Sequence, residues 1–83
     1  MSEKLIGRVV HYYGGIGVAG VVLSGKLKVG DTVRVKGHTT DFTSTVESME
    51  IDHTTVKKAK KGADVGIKVS GRAREHDEVY RVR

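Results

Sequence analysis

The sequence predicts an all-β domain, a small antiparallel barrel of about six strands. Three observations carry that expectation: short runs in which apolar and polar residues alternate, glycine or charged punctuation between them, and a length of 83 residues, enough for one core and too few for two. Eleven glycines and no proline leave glycine to do most of the turning. Residues 1–83 are therefore read as a single domain.

Residues 4–13 and 16–23 are apolar on both faces in places, as central strands covered by neighbours should be. Gly14 and Gly15 separate them. After Val21-Val22-Leu23, turns are expected at Gly25 and Gly30. In Asp31–Gly37, Val33 and Val35 share one face and Thr32, Arg34 and Lys36 the other, the period of a half-buried strand. Residues 41–52 begin in alternation, but Val46 and Met49 fall on opposite sides of a strict count, which predicts a bulge near Glu47-Ser48. Thr55–Gly62 fits either a turn of helix ended by Gly62 or a loop, with its lysines in water. Val65, Ile67 and Val69 then alternate with Gly66, Lys68 and Ser70. Finally Tyr80 and Val82 oppose Val79, Arg81 and Arg83.

The stretch GGIGVAGVV places Gly15, Gly17 and Gly20 at the spacing G-x-G-x-x-G. A dinucleotide fingerprint needs a helix directly afterwards, because the pyrophosphate sits on free N–H groups at a helix N-terminus. Here a strand and two glycine turns follow. The kinase loop does join two strands, yet the lysine strand, catalytic aspartate and metal-binding residues of phosphoryl transfer are missing. The glycines are accordingly read as serving tight turning and close strand packing.

Composition narrows the function. A domain this small leaves little apolar surface for a deep substrate pocket, so no enzyme activity and no small-molecule substrate are expected. Absence of cysteine removes disulfides and thiolate metal sites. His11, His38, His53 and His76 match no ligand spacing, and Asp52-His53 and Glu75-His76-Asp77 read as turn chemistry, so neither metal nor cofactor is expected. MSEKLIGRVV lacks a signal-peptide pattern and no apolar run approaches a membrane span, which points to a cytoplasmic protein without membrane contact. Fifteen Lys and Arg against ten Asp and Glu give a net charge of +5, an excess that attracts phosphates.

Residues 20–37, GVVLSGKLKVGDTVRVKG, resemble domain two of the translational GTPases, the β-barrel of elongation factor Tu and its relatives, with its K-V-G-[DE]-x-V-x-[IV] strand. The resemblance makes Gly25 a turn glycine, Leu27 and Val29 core residues, Gly30-Asp31 a turn, and Val33 and Val35 the inward face. Ala59, Gly62, Val65-Gly66 and Gly71 fall on the A-x-x-G-x-x-V-G stretch and its following glycine. KGHTTDFTSTVESMEIDH is similar to the barrel appended to some collagenase-like peptidases and RNA-hydroxylation proteins. What the resemblance implies is a closed or nearly closed Greek-key barrel tied to translation. It implies no GTP hydrolysis, since no G-x-x-x-x-G-K-[ST] loop is present.

The candidate site is basic. Lys57, Lys58, Lys60 and Lys61 form the densest cluster and suit phosphate contacts without base specificity. Arg34, Lys36, Lys68, Arg81 and Arg83 are expected on outward strand faces, as a basic wall if those strands are neighbours. Tyr13, in the Tyr12-Tyr13 pair, offers a stacking surface for an unpaired base. The expected role is a non-catalytic binding module whose partner is RNA, the ribosome or a translation-related protein. The alternative is a protein-docking module, or an isolated barrel, with no nucleic-acid binding.

Overall fold

The computed structural model describes residues 3–82. Ten strands follow one another: β1 Glu3–Tyr13, β2 Val18–Leu23, β3 Leu27–Lys28, β4 Thr32–Lys36, β5 Asp41–Thr45, β6 Met49–Ile51, β7 Thr54–Val56, β8 Lys58–Ala59, β9 Asp64–Lys68 and β10 Glu78–Val82. Among the described residues there is no helix. Eight strands form one antiparallel sheet in the order β5-β4-β10-β1-β2-β9-β6-β7, and β3 and β8 form a separate two-stranded ribbon.

The expected barrel is not closed: no ladder joins the end strands β5 and β7 among the described residues. Side chains and loops tie the open side instead. Ser70 donates its Oγ to the Thr43 carbonyl and its N–H to Ser44 Oγ, both at 3.2 Å. Gly71 lies flat on the Phe42 ring, where an added Cβ would come within 2.8 Å of it. Gly30 and Asp31 exchange backbone hydrogen bonds with Val46 at 2.8 and 2.9 Å, which prolong the β4–β5 pairing beyond Thr32 and Thr45.

The core is made mainly of valine, a β-branched residue that suits a pleated, half-buried surface. Val9, Val21, Val33, Val35 and Val79 are wholly buried, with Ile6, Met49 and Ile67 as the larger fillers. Val33 and Val35 face inward as their alternation predicts. Val29 departs from its expected core role, lying exposed in the turn after β3. GGIGVAGVV forms a hairpin: Tyr13 pairs with Val18, and Gly17, at φ 67°, donates its N–H to the Tyr13 carbonyl at 2.9 Å. A strand follows the glycines, not a helix.

Three local expectations need correction. Near Glu47-Ser48 the strand breaks instead of bulging: β5 pairs with β4, whereas β6 crosses to the other side and pairs with β9. Val46 and Met49 are both buried because the direction of the chain changes between them. The register shifts lie in β1, between Leu5 and Gly7 and between Val9 and His11. Residues 55–62 are neither helix nor plain loop, but the end of β7, then β8, then a turn at Gly62 with φ 92°. In β10, Val79 takes the inward face, so Arg81 shares its side of the sheet and leaves the expected outer wall.

Candidate nucleic-acid interface

The ribbon of β3 and β8 organises the basic cluster. Leu27 pairs with Ala59 and turns inward, Leu27 being buried. Lys28 pairs with Lys58 and both are exposed, because alternate residues of a strand point to opposite faces. Lys26 and Lys60, two positions along each segment, are exposed as well, and Lys57 and Lys61 flank them in water. A hydrogen bond from Val29 N–H to the Lys57 carbonyl at 2.8 Å extends the pairing. The turn at Gly62 anchors the far end, donating to the Leu23 carbonyl at 2.9 Å.

Two lysines of the ribbon and four that flank it therefore lie together, and none of them forms an ion pair among the described residues. Like charges placed directly across a ladder repel, so the Lys28–Lys58 pair weakens the ribbon unless an anion lies over it. The nearest carboxylate along β3, Asp31, accepts the Lys28 backbone N–H at 3.1 Å and serves the Gly30-Asp31 turn. Arg81 adds to the cluster from below, its Nη1 donating to the Lys26 carbonyl at 3.1 Å.

Lys26 and Lys28 are absent from the expected site. Their signal was present in K-L-K, where two lysines flank a core leucine, but only the β3–β8 register shows what lies opposite them.

The other expected residues do not converge here. Arg34 is locked in an acidic clamp: Nε and Nη2 donate to the two Asp41 carboxylate oxygens at 2.8 Å, and Nη1 donates to Glu3 Oε2 at 3.1 Å. The Asp41 hydrogen bond is the main reason its guanidinium holds its proton well above the usual range and the Asp41 carboxyl sits below its own. Lys36 stands in register between Glu78 and Asp41. The basic wall is thus interleaved with acids. The hydrogen bond from the Tyr80 phenol to Glu78 Oε1 at 3.1 Å raises the phenol's pKa.

Lys68 and Tyr13 sit at the other end of the sheet, on the ladder Tyr13–Val18–Lys68. Their end of β2 is separated from the ribbon end by the strand's length, about 17 Å for five steps. Tyr13 is 51% exposed and meets the His11 ring edge-on at 4.3 Å. Arg83 lies outside the described residues. Among the described residues, no three His, Asp or Glu side chains gather in a way that could hold a metal ion.

With the geometry in hand, comparisons place the chain among known proteins. The family described as elongation factor Tu domain 2 matches residues 15–80. A Methanocaldococcus jannaschii protein named an uncharacterized protease is 46% identical over 76 residues, covering 90% of this chain and 19% of that protein. A Porphyromonas gingivalis collagenase is 35% identical over 82 residues, covering 96% of this chain and 23% of the relative. The chain thus spans about a fifth of the length of these relatives. Among solved structures, the C-terminal domain of a Geobacillus thermoleovorans protein described as a U32 peptidase superposes with a TM-score of 0.90 at 20% identity, covering 96% of this chain and 93% of that one. GDP-bound aIF5B of Aeropyrum pernix superposes with a TM-score of 0.65 at 19% identity, covering 95% of this chain and 14% of that one. At those identities the two structures speak for the fold alone.

Proposed function

The chain belongs to the elongation factor Tu domain 2 family, and on that basis we propose that it is a non-catalytic, cytoplasmic binding module linked to translation, holding RNA or a ribonucleoprotein by its phosphates. The observation that carries the reading is the Lys28–Lys58 pair, two like charges in register on a ribbon flanked by four further lysines. A phosphate backbone relieves that repulsion and releases its own counterions on binding. The ribbon offers no aromatic ring or bidentate amide for reading base edges, so the binding is sequence-tolerant. Absence of catalysis is part of the proposal.

An NMR titration with a short single-stranded RNA tests the placement. Amide shifts should concentrate at residues 26–28 and 57–61. Shifts centred on Tyr13 and Lys68, or none at low salt, would overturn it.

A further inference from the structure

We propose that the outer face of β4, β10 and β1 is a contact surface for a second copy of this chain. Across the edge of the sheet runs one row of directly opposed residues, Asp41–Lys36–Glu78–Arg8. Residues opposed in a ladder share a face, and all four of these are exposed. Their charges alternate, and Lys36, Glu78 and Arg8 form no ion pair among the described residues.

An even-numbered row of alternating charge is complementary to its own reverse. Turn a second copy by 180° about an axis that lies in the contact plane along the strands, and the row runs backwards over itself. Lys36 then faces Glu78 of the second copy, Asp41 faces its Arg8, and every pairing is repeated by symmetry, as an isologous interface requires. A two-fold along the row would instead set Asp41 against Asp41. The charge pattern therefore selects one rotation among the alternatives, which is what charge complementarity contributes to specificity.

Apolar groups stand beside the row. Leu5, Val10 and Val22, half of the exposed large apolar side chains among the described residues, are 45%, 46% and 42% exposed. With Arg8, Lys36 and Glu78 they line an open depression of about 1040 Å³ that can receive the long Lys36 and Arg8 side chains of the second copy. A stable interface covers roughly 800 Å² per partner. That is about a seventh of the 5450 Å² this chain exposes.

Sedimentation equilibrium at low salt should show a monomer–dimer equilibrium for the natural sequence. Lys36→Glu alone and Glu78→Lys alone each place like charges at both central contacts, and each should raise the dimer dissociation constant on the order of 100-fold or more. Mixed in equal amounts, the two variants should form a heterodimer, because the carboxylates of one then face the ammonium groups of the other. Circular dichroism confirms that each variant is folded before it is mixed. Cross-saturation NMR between labelled and unlabelled natural protein needs no variant and should mark β4, β10 and β1. A natural sequence that stays monomeric at every concentration, a folded mixture that fails to dimerise, or cross-saturation at β5 and β7 instead would each overturn the proposal.

Discussion

Arg34 shows how far a single residue could be read in advance. Its outward position followed from alternation with Val33 and Val35, but its neutralisation did not. Glu3 and Asp41 lie 31 and 7 residues away, and only the registers of β1, β10, β4 and β5 bring both carboxylates to the guanidinium. The same holds at Gly37. A Cβ there would overlap the Asp77 carboxylate, which accepts the Arg74 N–H at 2.9 Å, and nothing in the local sequence announces that approach. The Asp41 carboxyl, lowered chiefly by its Arg34 hydrogen bond, has a definite pH consequence. A depressed folded pKa contributes stability that is present above the ordinary value of 3.8 and is lost as pH falls through the lowered one. NMR titration should find Asp41 ionising below the ordinary value in the natural protein. In Arg34→Gln it should return towards that value, with a small loss of stability confined to pH above it; an unchanged midpoint would mean the clamp does not persist in solution.

Among the elements, strands with one buried face were legible and crossings were not. Alternation located β4 and β9, and glycine spacing located the β1–β2 hairpin and the turns at Gly30 and Gly62. The break after Thr45 escaped because a bulge and a change of partner disturb the apolar count in the same way. The ribbon escaped for a different reason: two-residue strands are too short to show a period, so residues 55–62 fitted a turn of helix or a loop, and their lysines stood out as a basic cluster without the strand that carries them. Register on β4 can be tested by substitution. Val35→Asp places a carboxylate between Val79 and Phe42, with no cation in register beside it, and should cost about 3–5 kcal/mol. That is a large share of the stability of a domain this size. Val33 is a weaker probe because Arg81 lies directly opposite and could pair with a new carboxylate. Arg34→Gln, on the other face, should keep the fold with a far smaller loss, because its ion pairs are exposed to solvent. Urea denaturation measures both, and equal tolerance would mean the register is displaced by one residue.

For the whole molecule, the net charge of +5 conceals an uneven distribution. Along the outer faces of β4, β10 and β1, basic residues alternate with acids, whereas the β3–β8 ribbon and its flanks concentrate six lysines with no ion pair among the described residues. Composition alone could report the sum and not this separation, so the expected site combined residues from opposite ends of the sheet. If the ribbon holds phosphates, six contacts with a single strand give a slope of log affinity against log salt of roughly −4, at about −0.7 per contact. Replacing Lys57, Lys58, Lys60 and Lys61 by glutamine leaves Lys26 and Lys28 and should flatten the slope to about −1.4. The fold should be unaffected, since all four side chains are exposed. The most direct measurement is therefore a salt titration of a fluorescent single-stranded RNA with the natural protein and this quadruple variant. A steep slope that collapses in the variant is the result expected of a phosphate-binding ribbon; a slope that is the same in both proteins, or no binding by either at low salt, would contradict it.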